Sequence, residues 1–186
     1  MKPTWRVHGI IKNGGMAPNI IPEFTEMEYF IRAPTKGELD IIVDKVIACA
    51  NGAATATGCT LDYELVQPGY WSLLSNDTLA NLFETNAKTV GIEPDPGLIR
   101  YGGSTDMGNV SHIIPSIHPK FNIGTTSHQH TRDFAATAGN SSAQCITLKI
   151  AESIAMTAID IFENPNLVLS MRAQLKEDLV KEHAAK

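Results

Sequence analysis

The chain has 186 residues, with 20 acidic side chains against 15 basic ones and a formal net charge of −5. That length allows one domain or two small ones, and that charge offers nucleic acid or an anionic membrane surface nothing to bind. Three cysteines, Cys49, Cys59 and Cys145, in no CxxC spacing, exclude a disulfide scaffold and point to a reducing, cytoplasmic setting, with the thiols serving as small buried or half-buried hydrophobes.

Residues 5–11, WRVHGII, read as a strand from their β-branched content. KNGGMAPN is loop by its Asn, Gly and Pro. In IIPEFTEMEYFIR the pattern alternates, with Met27, Tyr29 and Ile31 on one face and Glu26, Glu28, Phe30 and Arg32 on the other. A helix follows from Thr35, where Thr35 and Glu38 form a capping-box pattern, and Gly58 is its stop. Its apolar stripe is Leu39, Ile42, Val43, Val46, Ile47 and Ala50. CTLDYELVQ reads as a third strand, so the first 67 residues predict a small α+β layer with one helix on a mostly antiparallel sheet.

PGYWSLLSN marks a joint, and DTLANLFETNAKTVG is a second helix. The Gly- and Ser-rich stretch 98–130 carries only short β-like pieces, which is where function tends to sit. SSAQCITLKIAESIAMTAIDIF predicts a long helix with the stripe Cys145, Ile146, Ile150, Ile154, Ala158, Ile159 and Phe162, its many alanines suiting close packing on a sheet. Asn164 caps and Pro165 opens a final charged helix. No apolar run reaches the length of a membrane span, and the first residues lack the apolar core of a signal peptide.

Histidine is the residue type to count. GTTSHQHTRDFAATAG places His128 and His130 two apart, with His118 upstream, while His8 and His183 lie far away in sequence. With six histidines in all, no complete metal site is evident from this chain alone. On the residues alone His128 and His130 are loop histidines. GGSTD at 102–106 is equally a turn or a ligand loop, because Gly, Ser and Asp favour both. GGSTDMG is no phosphate loop, because it neither follows a strand with GxGxxG spacing nor leads straight into a helix. Arg32 reads as a strand-edge charge beside Glu28, and Asn19 as a turn residue.

Four pieces in order carry a resemblance: HGIIKNGGMAPNIIPE (8–23), EYFIRAP (28–34), GGSTDMGNVS (102–111) and HTRDFAATAG (130–139). Together they resemble the C-terminal portion of the zinc metallopeptidase and amidohydrolase family of aminoacylase, carnosine dipeptidase and succinyl-diaminopimelate desuccinylase. Within it the chain is most similar to the amidohydrolase-like dipeptidase branch, which acts on β-alanyl or γ-aminobutyryl dipeptides of basic amino acids.

The resemblance implies a two-domain metallopeptidase. Residues 1–70 correspond to the second part of a ferredoxin-like βαββαβ lid or dimerisation domain that lacks its first strand and helix. Residues 71–186 correspond to the C-terminal α/β part of the catalytic domain. It implies a metal role for His130 and substrate-binding roles for Asn19, Arg32, Gly103, Ser104, Thr105, Asp106 and His118. An arginine suits a carboxylate by two parallel hydrogen bonds, and hydroxyls donate to it well. The implied cofactors are two divalent ions, Zn or Mn/Co, whose other ligands and the catalytic glutamate have no match here. The implied partners are a small dipeptide or N-acyl amino acid and a second copy of the chain. The expectation is thus a metal-dependent amide hydrolase present as a C-terminal fragment, inactive alone and poorly soluble or self-associating. The alternative is a non-catalytic remnant that binds or dimerises.

Overall fold

The computed structural model describes residues 1–94 and 104–184. Those residues divide into two units, Met1–Ser72 with Val180–Lys186, and Leu73–Leu179.

The first unit opens with β1 (Arg6–Asn13) and β2 (Glu26–Arg32), paired antiparallel with Arg6 opposite Arg32 and Gly9 opposite Tyr29. The register slips between Ile11 and Asn13, an irregularity that twists the strand where the connection begins. Gly9 has a packing reason to be glycine. A Cβ there would lie 2.5 Å from Cε1 of Tyr29, so the ring occupies the space a side chain would need.

Helix α1 (Lys36–Thr57) starts and stops where its sequence predicts. The Thr35 hydroxyl accepts the Glu38 amide at 3.2 Å, and Gly58 ends the helix in the left-handed region at φ 70°. The reciprocal half of the capping box does not form. The Glu38 carboxylate accepts instead from Lys2 Nζ at 2.7 Å and from the indole N–H of Trp5 at 2.8 Å. Both bonds favour the ionised form, and the Lys2 contact leads in holding this carboxyl below the usual glutamate range. Of the predicted stripe only Ile42 is fully buried, while Leu39, Val43, Val46, Ile47 and Ala50 are half-buried. The first free amide of α1, on Lys36, is capped from far along the chain by Glu182 Oε1 at 2.6 Å, an anion at a helix N-terminus. The Ser72 hydroxyl donates to the same oxygen.

The third predicted strand is absent, since residues 59–67 form no ladder. Their alternation supplies a strand-like pattern, but a strand also needs an edge to bond, and among the described residues the sheet holds β1 and β2 alone. Tyr63, Leu65 and Val66 are accordingly exposed.

In the second unit, α2 (Asp77–Thr89) packs on α5 (Ser141–Glu163), with α3 (Met107–Ser111) and α4 (Arg132–Ala138) between them in sequence. Helix α6 (Pro165–Ala184) begins here and supplies buried Met171 and Leu175. Among the described residues the protein is therefore α+β, with one two-stranded antiparallel sheet and six helices.

Helix α5 departs from its predicted orientation. Its buried side is Ala143, Ile150, Ser153 and Thr157, whereas Cys145, Ile154, Ile159 and Phe162 of the predicted stripe are exposed. The polar side can be buried because its groups are satisfied. Ser153 and Thr157 donate to the carbonyls of Lys149 and Ser153 at 2.8 and 2.7 Å. Asn86 of α2 donates to Thr157 Oγ1 at 3.1 Å and to Asp160 at 2.8 Å. The cysteines also depart from expectation, because all three are free and exposed. Cys49 and Cys145 sit on helix positions that their neighbours leave open, and Cys59 follows the α1 stop.

Candidate functional site

In the second unit the loop before and after α3 is anchored to the start of α2. Asn76, 3% exposed, caps α2 by accepting the Leu79 amide at 3.1 Å and donates its Nδ2 to the Met171 carbonyl of α6 at 3.0 Å. Its own amide donates to the Ser116 carbonyl at 2.9 Å, next to an isolated parallel bridge between Ser75 and Ser116. Ser111 is fully buried, donates to Gly108 O at 2.7 Å and accepts the Leu74 amide at 3.0 Å. Two fixed points, Ser111 and Ser116, thus hold the segment from 104 to 118. Asn76 was legible as a cap, being an Asn just before the Asp77-Thr78-Leu79 helix start. Its bond to α6 has no sequence signal.

On this frame the structure brings two candidates together. Thr105 Oγ1 lies 3.4 Å from Nδ1 of His118. The same hydroxyl accepts the Met107 amide at 3.3 Å and stands 3.5 Å from Asp106 Oδ1. Asp106 is the N-cap residue of α3 and makes no side-chain capping bond. Ser104, Asp106 and His118 are exposed and Thr105 is half-buried, so the cluster faces solvent with both donor and acceptor groups. Gly102 and Gly103 lie outside the described residues.

His130 stands one residue before the Thr131 cap of α4. Thr131 accepts the Phe134 amide at 3.3 Å and donates to the His128 carbonyl at 2.7 Å. The approach to it is a chain of side-chain-closed turns. Asn122 accepts the amides of Gly124 and Thr125 at 2.7 and 3.1 Å, and Thr125 accepts that of Ser127 at 3.0 Å. Squeezed between these turns and the helix, His130 takes φ 67°, the one positive φ on a non-glycine residue among those described. A left-handed backbone on a residue with a Cβ costs on the order of 1 kcal/mol, and such outliers gather at functional positions. The imidazole is exposed, as is that of His128.

In the first unit Asn19 lies in a turn closed by the Ile20 amide on the Ala17 carbonyl at 3.1 Å, and is exposed. Arg32 ends β2 opposite Arg6, whose guanidinium donates to the Trp5 carbonyl at 2.8 Å and to the Pro3 carbonyl. That turns one of two facing cations onto backbone and lessens their repulsion.

Among the described residues no group of three or more His, Cys, Asp and Glu side chains is placed to hold a metal ion. A catalytic zinc takes three protein ligands, so the described residues do not by themselves fit a complete site of that kind. An apolar recess of about 510 Å³ in the second unit is lined by residues of α2, α5, α6 and 113–115, and by none of the candidates. No helix among the described residues is long and apolar enough to cross a membrane.

The chain matches no family model. It is 45% identical to an Xaa-Arg dipeptidase of Mus musculus over 185 residues, which are 98% of this chain and 43% of that protein. To an Xaa-Arg dipeptidase of Homo sapiens it is 43% identical over 185 residues, 98% of this chain and 42% of that protein. A shorter match, 39% over 77 residues, covers 41% of this chain and 16% of a p-aminobenzoyl-glutamate hydrolase component of Escherichia coli (strain K12). The chain therefore spans less than half the length of the dipeptidases it matches. Along nearly its whole length it is a homologue of the Xaa-Arg dipeptidases, within the dipeptidase and amidohydrolase family that its four motifs resemble.

Proposed function

We propose that the chain is the lid and closing portion of a metal-dependent dipeptidase that cleaves the amide bond before a basic residue, and that its activity depends on sequence the 186 residues do not contain. The observation that carries this is the 45% identity over 98% of the chain to an Xaa-Arg dipeptidase. On this reading the unit with β1, β2 and α1 is the second part of a ferredoxin-like lid, and the unit with α2 to α5 belongs to the catalytic domain.

Arg32 grips the substrate carboxylate by two parallel hydrogen bonds, with Asn19 beside the same substrate. Ser104 and Thr105 donate to a substrate oxygen. His118, 3.4 Å from Thr105, sets which way that hydroxyl points, and Asp106 and Gly103 complete the loop. His130 supplies one imidazole to a metal ion. Its left-handed backbone supports that role, since φ 67° aims a side chain in a direction few residues adopt. Zinc, manganese or cobalt would supply the Lewis acidity that amide hydrolysis needs. One imidazole is too few for a site, and the remaining ligands are assigned to other sequence. Three exposed free thiols suit a reducing cytoplasm.

The second reading is a binding or dimerisation module without activity, and the lack of a metal-holding cluster among the described residues is as expected on it as on the first. One assay separates the two. The purified chain, supplied with zinc, manganese or cobalt, is tested for release of Arg from β-alanyl-arginine, alone and together with the part of the mouse dipeptidase that it does not match. The proposal expects release only in the mixture, and loss of that release in His130→Ala. No release in the mixture favours the module. Release by the chain alone overturns its dependence on other sequence.

A further inference from the structure

The connection from β1 to β2, residues 14–25, carries a single charge, Glu23, among large apolar side chains. Met16, Ile21 and Phe24 are exposed there, Ile21 at 94%. Glu23 is exposed too, and among the described residues it has no hydrogen-bond or ion-pair partner. Its neighbours in sequence are committed. Glu26 and Glu28 meet Lys12 at 2.8 and 3.7 Å, Glu38 meets Lys2 at 2.7 Å, and Asp40 meets Lys36 at 2.6 Å. The connection itself is pinned. Asn13 Oδ1 accepts the Gly15 amide at 3.1 Å, and the Ile20 amide bonds the Ala17 carbonyl at 3.1 Å. Pro22 packs on Gly15 so closely that a Cβ there would lie 3.1 Å from Pro22 Cβ. Glu23 follows directly on that fixed proline.

We infer that Glu23 is the specificity-determining carboxylate for the basic residue of the dipeptide, its oxygens accepting hydrogen bonds from the substrate's guanidinium. This rests on the dipeptidase reading above, in which Asn19 lies beside the same substrate. An arginine side chain is an apolar stem ending in a planar cation. The connection offers the complement of both parts, exposed apolar surface for the stem and one carboxylate for the fork. A carboxylate already bonded to a lysine would have to surrender that partner first, whereas Glu23 has none to surrender. Asp44, Asp62 and Glu64 of the same unit are also exposed and unpaired, but Glu23 alone shares a loop with Asn19. Four residues separate the two, which keeps their Cα atoms within about 14 Å. One arginine, with the Asn and Glu side chains reaching in from either end, spans that gap from its carboxylate to its guanidinium.

The test compares β-alanyl-arginine with β-alanyl-citrulline, in which a neutral urea replaces the guanidinium. First, each dipeptide is titrated to millimolar concentration into the ¹³C-labelled full chain. The carboxyl resonance of Glu23 is expected to shift with the arginine peptide and to stay in place with the citrulline peptide. Second, both are supplied to the chain mixed with the part of the mouse Xaa-Arg dipeptidase outside the 185 aligned residues. Glu23→Gln is expected to lower the ratio of Arg to citrulline release about tenfold, the effect of one charge-assisted hydrogen bond. Asp44→Asn, equally exposed but on α1, is expected to leave that ratio as it was. Both positions are on the surface, and thermal unfolding confirms that the variants keep their fold. No shift at Glu23, an equal shift with both peptides, a shift at Asp62 or Glu64 instead, or an unchanged ratio in Glu23→Gln overturns the inference. Arg release with an unchanged ratio sinks the role of Glu23 and leaves the dipeptidase reading intact. A mixture that releases neither amino acid sinks that reading, and the resonance of Glu23 in the chain alone then decides whether this carboxylate holds the cation.

Discussion

The hydroxyl of Thr105 and Nδ1 of His118 lie 3.4 Å apart, joining two segments separated by thirteen residues. The contact is long for a hydrogen bond and exposed on the His118 side. It can therefore shorten when a substrate oxygen arrives. Thr105→Val removes the hydroxyl while keeping its shape. The expected outcome is a changed ¹⁵N shift of the His118 ring in the isolated chain. In a reconstituted enzyme we expect a roughly tenfold higher KM at similar kcat, the effect of one hydrogen bond of about 1.4 kcal/mol. An unchanged His118 spectrum shows that the two groups do not interact in solution.

His130 gives a stability test that runs opposite to its functional role. Glycine accepts φ 67° without the Cβ penalty, and alanine does not. His130→Gly is expected to be more stable than His130→Ala by about 0.5–1 kcal/mol after the unfolded-state cost of glycine. Both remove the proposed ligand. Urea unfolding of the pair measures the difference, and equal midpoints would show that the left-handed backbone is not retained.

Asn76 is the most consequential polar side chain of the second unit. Asn76→Ala removes a helix cap and the second, cross-helix donor to the Met171 carbonyl, which keeps its partner within α6. The expected loss is about 1–2 kcal/mol, from roughly 1 for the cap and the rest for the lost hydrogen bond. Chemical denaturation measures it. A loss below about 0.5 kcal/mol would show that the side chain is not the tie between α2 and α6.

Glu38 sets an acid limit for the first unit. Its folded carboxyl is held below the ordinary value by Lys2 and Trp5, so its stabilisation is complete above the usual glutamate pKa of about 4.3. That contribution falls away as pH drops from there through the depressed folded value. Thermal unfolding between pH 6 and pH 3 is expected to show a steeper fall for the native chain than for Glu38→Gln. Parallel curves would show that the contact carries no linked proton.

The local signals in the sequence were the ones that translated into structure. Thr35, Gly58 and Pro165 act within a few residues of themselves, and α1 and α6 begin or end beside them. Whatever depended on a distant partner was less legible. The alternation of residues 59–67 describes one face of a strand but cannot supply the neighbour that a strand requires. The large apolar residues of α5 marked a stripe, and the expectation that it faces inward failed because the polar side is satisfied where it is buried: Ser153 and Thr157 donate to carbonyls of their own helix, and Asn86 of α2 donates to Thr157 and Asp160. At the candidate site, the proximity of Thr105 and His118 depends on Leu74, Asn76, Ser111 and Ser116 tying the loop to α2. The left-handed conformation of His130 arises from turns on one side and a helix cap on the other.

The bond from the Lys36 amide to Glu182 has a consequence for the order of synthesis. The unit that contains β1, β2 and α1 is discontinuous, since its last contributor is translated more than a hundred residues after its first. At about 5–20 residues per second, the ribosome keeps α1 waiting several seconds or longer for the carboxylate that seals its first turn. The continuous stretch Leu73–Leu179 is complete before then. A released chain truncated after Leu179 should therefore hold a protease-resistant middle and a protease-sensitive beginning.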